Sequence, residues 1–110
     1  MEGDAEFVHS SRRLLREIVS LLAADVSSQV EWLDGMSVDE FGLDFDLYWH
    51  PTRRDLLGLS AEAQSLLNRI GRQLDEADST LWSRDALRDD ARWVEIRRLA
   101  AEALPQLPTS

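Results

Sequence analysis

Three stretches of this chain repeat apolar residues every three or four positions, and that spacing constrains the fold more than any other feature. Between residues 59 and 78, Ala63, Leu66, Leu67, Ile70, Leu74 and Ala77 recur at the helical period, with Ser60 placed to cap the first turn. Residues 4–24 follow the same rule through Val8, Leu14, Leu15, Ile18, Leu21 and Leu22, with Asp4 as the expected cap. Val19 widens that stripe, while Arg12, Arg13 and Arg16 lie mainly to the other side. From about Asp90 to Leu104 the apolar face is Trp93, Ile96, Leu99, Ala100 and Ala103, stopped by Pro105 and Pro108. A shorter turn opens at Ser83 and Asp85 and runs through Leu87. Amphipathic helices must bury their apolar faces against one another, so the expected fold is mainly α, a small helical bundle. Gly71 interrupts the 59–78 pattern at a cost of about 1 kcal/mol relative to alanine, and a close helix–helix approach is the expected reason.

Residues 25–58 give conflicting signals. Ser37-Val38-Asp39-Glu40 has the form of a capping box, with Met36 and Phe41 spaced as a hydrophobic staple. Thr52-Arg53-Arg54-Asp55 forms a second box after Pro51, opening a short helix that ends near Gly58, and 49–58 is the expected hinge. Against the first box, Phe41, Leu43, Phe45, Leu47 and Trp49 alternate with Gly42, Asp44, Asp46, Tyr48 and His50. That period of two favours an extended segment over about 42–49. Asp34-Gly35, after Val30-Glu31-Trp32, is a hairpin-turn signal. Helical spacing fits part of the same stretch through Val38, Phe41, Phe45 and Tyr48 or Trp49. The expectation is an irregular or short β segment around 28–49, with an α+β fold containing a hairpin as the alternative.

A chain of 110 residues is most simply one domain, 1–110, with ends at about 1–3 and 106–110 expected to fray. At that size folding buries roughly 65% of the unfolded surface, enough for one modest core. Cysteine is absent, which rules out disulfides, thiolate metal sites and cysteine nucleophiles, and fits a cytoplasmic location. No apolar run approaches the roughly 20 residues that span a bilayer, and the start MEGDAEF is not a signal peptide. All 12 basic residues are arginine, the pattern of codon bias in a GC-rich bacterial genome.

Charge is distributed unevenly. Between Arg16 and Arg53 there is no basic residue, yet eight carboxylates occur: Glu17, Asp25, Glu31, Asp34, Asp39, Glu40, Asp44 and Asp46. The rest holds 13 acids against 12 arginines, so the net charge of −9 divides into −8 within 17–52 and −1 outside it. A concentrated negative field attracts cationic partners and repels nucleic acid and anionic lipid. The same window contains Trp32, Phe41, Phe45, Tyr48 and Trp49, and a tryptophan rimmed by carboxylates is a typical hot-spot arrangement.

Reactive constellations are sparse. On a strand, Asp44, Asp46 and His50 would share a face and form a weak metal-site candidate. His9, beside Val8, has no partner suggested by spacing. Glu31-Trp32-Leu33-Asp34 resembles the E-x-x-D element of all-α nucleotide pyrophosphohydrolases, but no E-x-x-E partner follows, and Asp75-Glu76 comes only at a helix end. No glycine-rich phosphate loop, G-x-S-x-G or H-E-x-x-H occurs. On the C-terminal helix, Arg92, Arg97 and Arg98 mix with Glu95 and Glu102, a poor nucleic-acid footprint.

The expectation is therefore a non-enzymatic, acidic interaction protein without cofactor. It would dock a basic protein partner through Glu31, Trp32, Asp34, Asp39, Glu40, Asp44, Asp46, Tyr48 and Trp49. An immunity- or antitoxin-type inhibitor of a bacterial toxin is the specific form. The alternatives are a homo-oligomeric module, such as a homodimer, and a small metal-dependent enzyme using Asp44, Asp46 and His50.

Overall fold

In the computed structural model, which describes residues 2–49 and 57–107 and their side chains from Glu6 onward, six α-helices and two 3-10 turns follow one another with no strand among the described residues. The helices are α1 (Glu2–Ala23), α2 (Val26–Leu33), α3 (Glu40–Tyr48), α4 (Ala61–Asp75), α5 (Arg84–Asp89) and α6 (Ala91–Ala103). The 3-10 turns span Ser79–Trp82 and Leu104–Gln106. His50, Pro51, the second capping box at 52–55, most of the expected hinge and Pro108 lie outside the described residues.

The helix starts follow local chemistry. Side-chain oxygens of Asp25, Ser60, Ser83 and Asp90 accept the backbone N–H of Ser28, Ala63, Ala86 and Arg92, capping α2, α4, α5 and α6. Each satisfies a donor that a helix start leaves orphaned, worth about 1 kcal/mol. Asp4 is not a cap, because α1 already runs from Glu2. Nor does Ser37 cap a helix: α3 begins at Glu40 with no side-chain cap, entered through turns that link Ser37 to Glu40 and Val38 to Phe41.

The extended reading of 42–49 gives way to helix, and the irregular or short β segment expected around 28–49 is replaced by α2 and α3. Burial along α3 explains the false alternation. Phe41, Phe45 and Trp49 are buried at spacings of four, whereas Leu43 and Leu47 point outward. Asp34-Gly35 does supply the positive φ that a turn signal implies, but uses it to end α2 (φ of 42° and 87°) rather than to join strands. The C-terminal segment past Pro105 is not frayed as far as Leu107. Leu107 is buried, and the Arg16 guanidinium donates to the Leu104 and Leu107 carbonyls.

α1, α4 and α6 enclose the core, with α6 lying against both of the others and α3 bridging α1 and α4. One buried cluster runs from Leu15, Ile18, Val19 and Leu22 through Leu67 and Ile70 to Trp93, Ile96 and Leu99. Two polar side chains join it, Ser11 and Gln29. The Gln29 amide donates to the carbonyls of Leu21 (3.0 Å) and Leu22 (3.1 Å) in the last turn of α1 and accepts from Arg97 Nε at 3.2 Å. Arg97 also donates to the Leu87 carbonyl in α5, and burial pushes its guanidinium down from its ordinary range.

Gly42 in α3 and Gly71 in α4 differ in what surrounds them. A Cβ on Gly71 would meet Phe45 Cε1 at 3.6 Å, an ordinary contact, so no close helix–helix approach demands glycine there. A Cβ on Gly42 would lie 2.8 Å from Trp82 Cη2, a rigid ring seated directly against α3. Gly71→Ala should therefore raise the unfolding free energy by up to about 1 kcal/mol. Gly42→Ala should lower it by about 1–3 kcal/mol, because overpacking outweighs the same propensity gain. Urea unfolding of both variants checks the pair, and a stabilising Gly42→Ala would mean that Trp82 does not rest on α3.

Candidate functional site

α3 organises the acidic window. Successive residues turn by about 100° around a helix, so burial of Phe41 and Phe45 forces Leu43 and Leu47 to the opposite side. They are 60% and 50% exposed, among the most exposed large apolar side chains described. Asp39 and Asp46 lie to one side of this leucine ridge, and Glu40 and Asp44 to the other. Asp44 and Asp46 thus lie about 160° apart around the helix rather than sharing a face, which removes the geometry behind the metal-site candidate. The third member of that candidate, His50, lies outside the described residues.

A cleft flanks the ridge on each side. One, of about 280 Å³, is formed by Asp39, Gly42, Leu43 and Asp46 of α3 with Leu74, Asp75 and Trp82. The other, of about 120 Å³, lies between α1 and α3 and is lined by Leu14, Glu17, Ile18 and Leu21 with Trp32, Asp44 and Tyr48. Each combines carboxylates with a partly buried tryptophan. A continuous series of rings connects them beneath α3. Trp32 stacks on Phe41 (4.9 Å), Phe41 meets Trp93 edge-on (5.9 Å), and Trp93 meets Trp82 edge-on (6.2 Å). The Trp93 indole is fixed by donating to the Leu81 carbonyl at 2.8 Å.

Of the residues expected to face a partner, Asp39, Glu40, Asp44 and Asp46 gather around α3, with Trp32 and Tyr48 in the second cleft. Glu31 and Asp34 are exposed, on α2 and at its end. Trp49 does not belong to an exposed face: it is buried, and its indole N–H donates to Asn68 Oδ1 of α4 at 3.1 Å. Leu43, Leu47, Asp75 and Trp82 were not among the expected site residues. A helical wheel over 38–49 would have found the leucines; Asp75 and Trp82 join only through the tertiary fold.

Ion pairing separates this surface from the rest of the molecule. Every ion pair among the described residues lies between Arg69 and Glu102, and none involves the eight carboxylates of 17–46. Arg84, at the edge of the window, donates to the Met36 carbonyl (3.1 Å) rather than to an acid. The other grooves carry their own counter-charges. The α4–α6 groove is crossed by Arg69–Glu95 at 3.6 Å, and the shallow α1 surface at Arg13, Arg16 and Glu17 holds both signs.

Among the paired acids, Asp90 is the clearest case. The Arg92 side chain and backbone N–H donate to it, holding its carboxyl down at about 2. A depressed folded-state value stabilises the native state above the unfolded value near 3.9 and loses that contribution as pH falls through about 2. The stability advantage of the wild type over Asp90→Asn should thus be constant above about pH 5 and shrink between about pH 4 and 2. Denaturant melts across that range measure it, and a pH-independent difference would mean that Asp90 acts only as a neutral cap.

No protein-family model, curated protein or solved structure matches this chain, so the reading of the site rests on its own residues.

Proposed function

We propose that this is a non-enzymatic interaction protein that docks a basic protein partner through the acidic face of α3. Its specific form is an immunity- or antitoxin-type inhibitor that covers a cationic bacterial toxin in the cytoplasm. The observation that carries the reading is the Leu43–Leu47 ridge, exposed and bordered on both sides by carboxylates that have no ion-pair partner among the described residues. Exposed apolar residues inside a polar rim are the usual composition of an interface core. Unpaired like charges repel one another in the free protein, and only a cationic surface relieves that repulsion.

The same charge weighs against the homodimer, because stacking two such faces would bring like charges together. It also disfavours nucleic acid, whose phosphates the face would repel. None of the described helices is long and apolar enough to cross a membrane.

The test compares two neutralised proteins. Asp34, Asp39, Asp44 and Asp46 are changed together to Asn in one. In the other, Glu62, Glu76, Asp85 and Asp89, exposed residues away from the α3 clefts, are changed to Gln or Asn. The first set should slightly stabilise the free domain and abolish capture of a basic protein from the cytosol of the cell that makes it. The second should leave capture intact. Capture by the wild type should also weaken steeply between about 50 and 200 mM salt as the Debye length shortens. Equal loss from both sets would reduce the charge asymmetry to a compositional accident.

A further inference from the structure

The shape of the α3 face constrains the partner further than its charge does. Leu43 and Leu47 stand one helical turn apart, forming a short raised row along the helix axis. The surface falls on both sides of that row into clefts that are acidic and aromatic at once. A flat basic patch would rest on the leucines and leave both clefts empty. An extended basic strand would send alternate side chains away from the surface. A helix satisfies all three features: an apolar stripe covers the ridge, and side chains flanking that stripe descend on either side. Arginine and lysine suit the clefts, because their apolar stems lie against rings while their charged heads meet carboxylates.

We infer that the α3 face receives an amphipathic helix of the partner, with an apolar stripe over Leu43 and Leu47 and basic side chains reaching into both clefts. The inference rests on the docking function proposed above. A second copy of this chain is a poor occupant. Its exposed apolar residue on α6, Val94, is accompanied by Arg98, but that arginine is already paired with Glu95 and Glu102 at 2.7 and 2.8 Å. The α6 face of a second copy therefore brings an arginine that is already neutralised.

The probe is a synthetic helix of about 18 residues with a leucine stripe flanked by arginines. It is compared with a scrambled peptide of identical composition and charge. Binding is followed by amide and indole chemical shifts of the intact protein. The striped peptide should bind at least about tenfold more tightly. It should perturb residues 39–48 and the indole signals of Trp32 and Trp82, and leave α6 unchanged. Leu43→Ala/Leu47→Ala, at exposed positions, should melt as the wild type does and lose the preference for the striped peptide. Leu47→Gln alone should lose part of it, which keeps the test valid if the double variant unfolds. Equal binding of both peptides, abolished by the Asn variant at 34, 39, 44 and 46, would overturn this inference while sparing the docking function. Absence of any binding would overturn both. A dimer in sedimentation that the leucine variants convert to monomer would also overturn it.

Discussion

The fully buried amide of Gln29 ties α1, α2 and α6 together, and through Arg97 it reaches the end of α5. The last carbonyls of a helix have no partner within it, and a buried carbonyl left unpaired costs about 1–3 kcal/mol. Gln29 supplies donors to two of them in α1 and takes back one hydrogen bond from Arg97. No buried side-chain donor or acceptor among the described residues is left unsatisfied. This joint sets how α2 leaves α1, and thereby where Trp32 lies. Trp32 in turn stacks on Phe41, the residue that anchors the start of α3.

Presentation of the acidic face follows from that anchoring. Phe41 and Phe45 commit one side of α3 to the core, Trp49 closes its end against Asn68, and Gly42 lets the Trp82 ring approach the helix. The other side of α3 is left outward, with its leucines and carboxylates held on a rigid element rather than a loop. A preorganised surface of this kind spares a partner much of the ordering entropy that binding otherwise costs. The remainder of the protein shows the opposite treatment of charge. Arg92 and Arg98 each hold two acids, so the carboxylates there already have arginine partners.

The long helices were legible because each carries a strong apolar period. Ser60 caps where its spacing says it should, and the last helix starts beside Asp90 as its period implies. α3 was not legible for a related reason. Leu43 and Leu47, placed outside a helix, fill the gaps between Phe41, Phe45 and Trp49 and turn a period of 3.6 into an apparent period of two. A local pattern that contradicts the fold is expected where residues serve something other than the core. The misreading of 42–49 thus falls on the feature that supports the functional reading. The charge asymmetry was visible from composition alone, but the clefts required Asp75 and Trp82, brought to α3 from distant segments by tertiary packing. Trp49 was misassigned because a tryptophan among acids reads alike whether it faces solvent or the core.

On this reading Asp39, Glu40, Asp44 and Asp46 act as one field around the Leu43–Leu47 ridge. Paramagnetic relaxation of backbone amides by small nitroxide cosolutes, one cationic and one anionic, measures that field directly in the free protein. The cationic cosolute should relax the amides of residues 36–48 far more than the anionic one, and the ratio should approach unity along α6, where the ion pairs lie. Raising the salt should collapse the difference. Equal ratios on α3 and α6 at low salt would contradict the account.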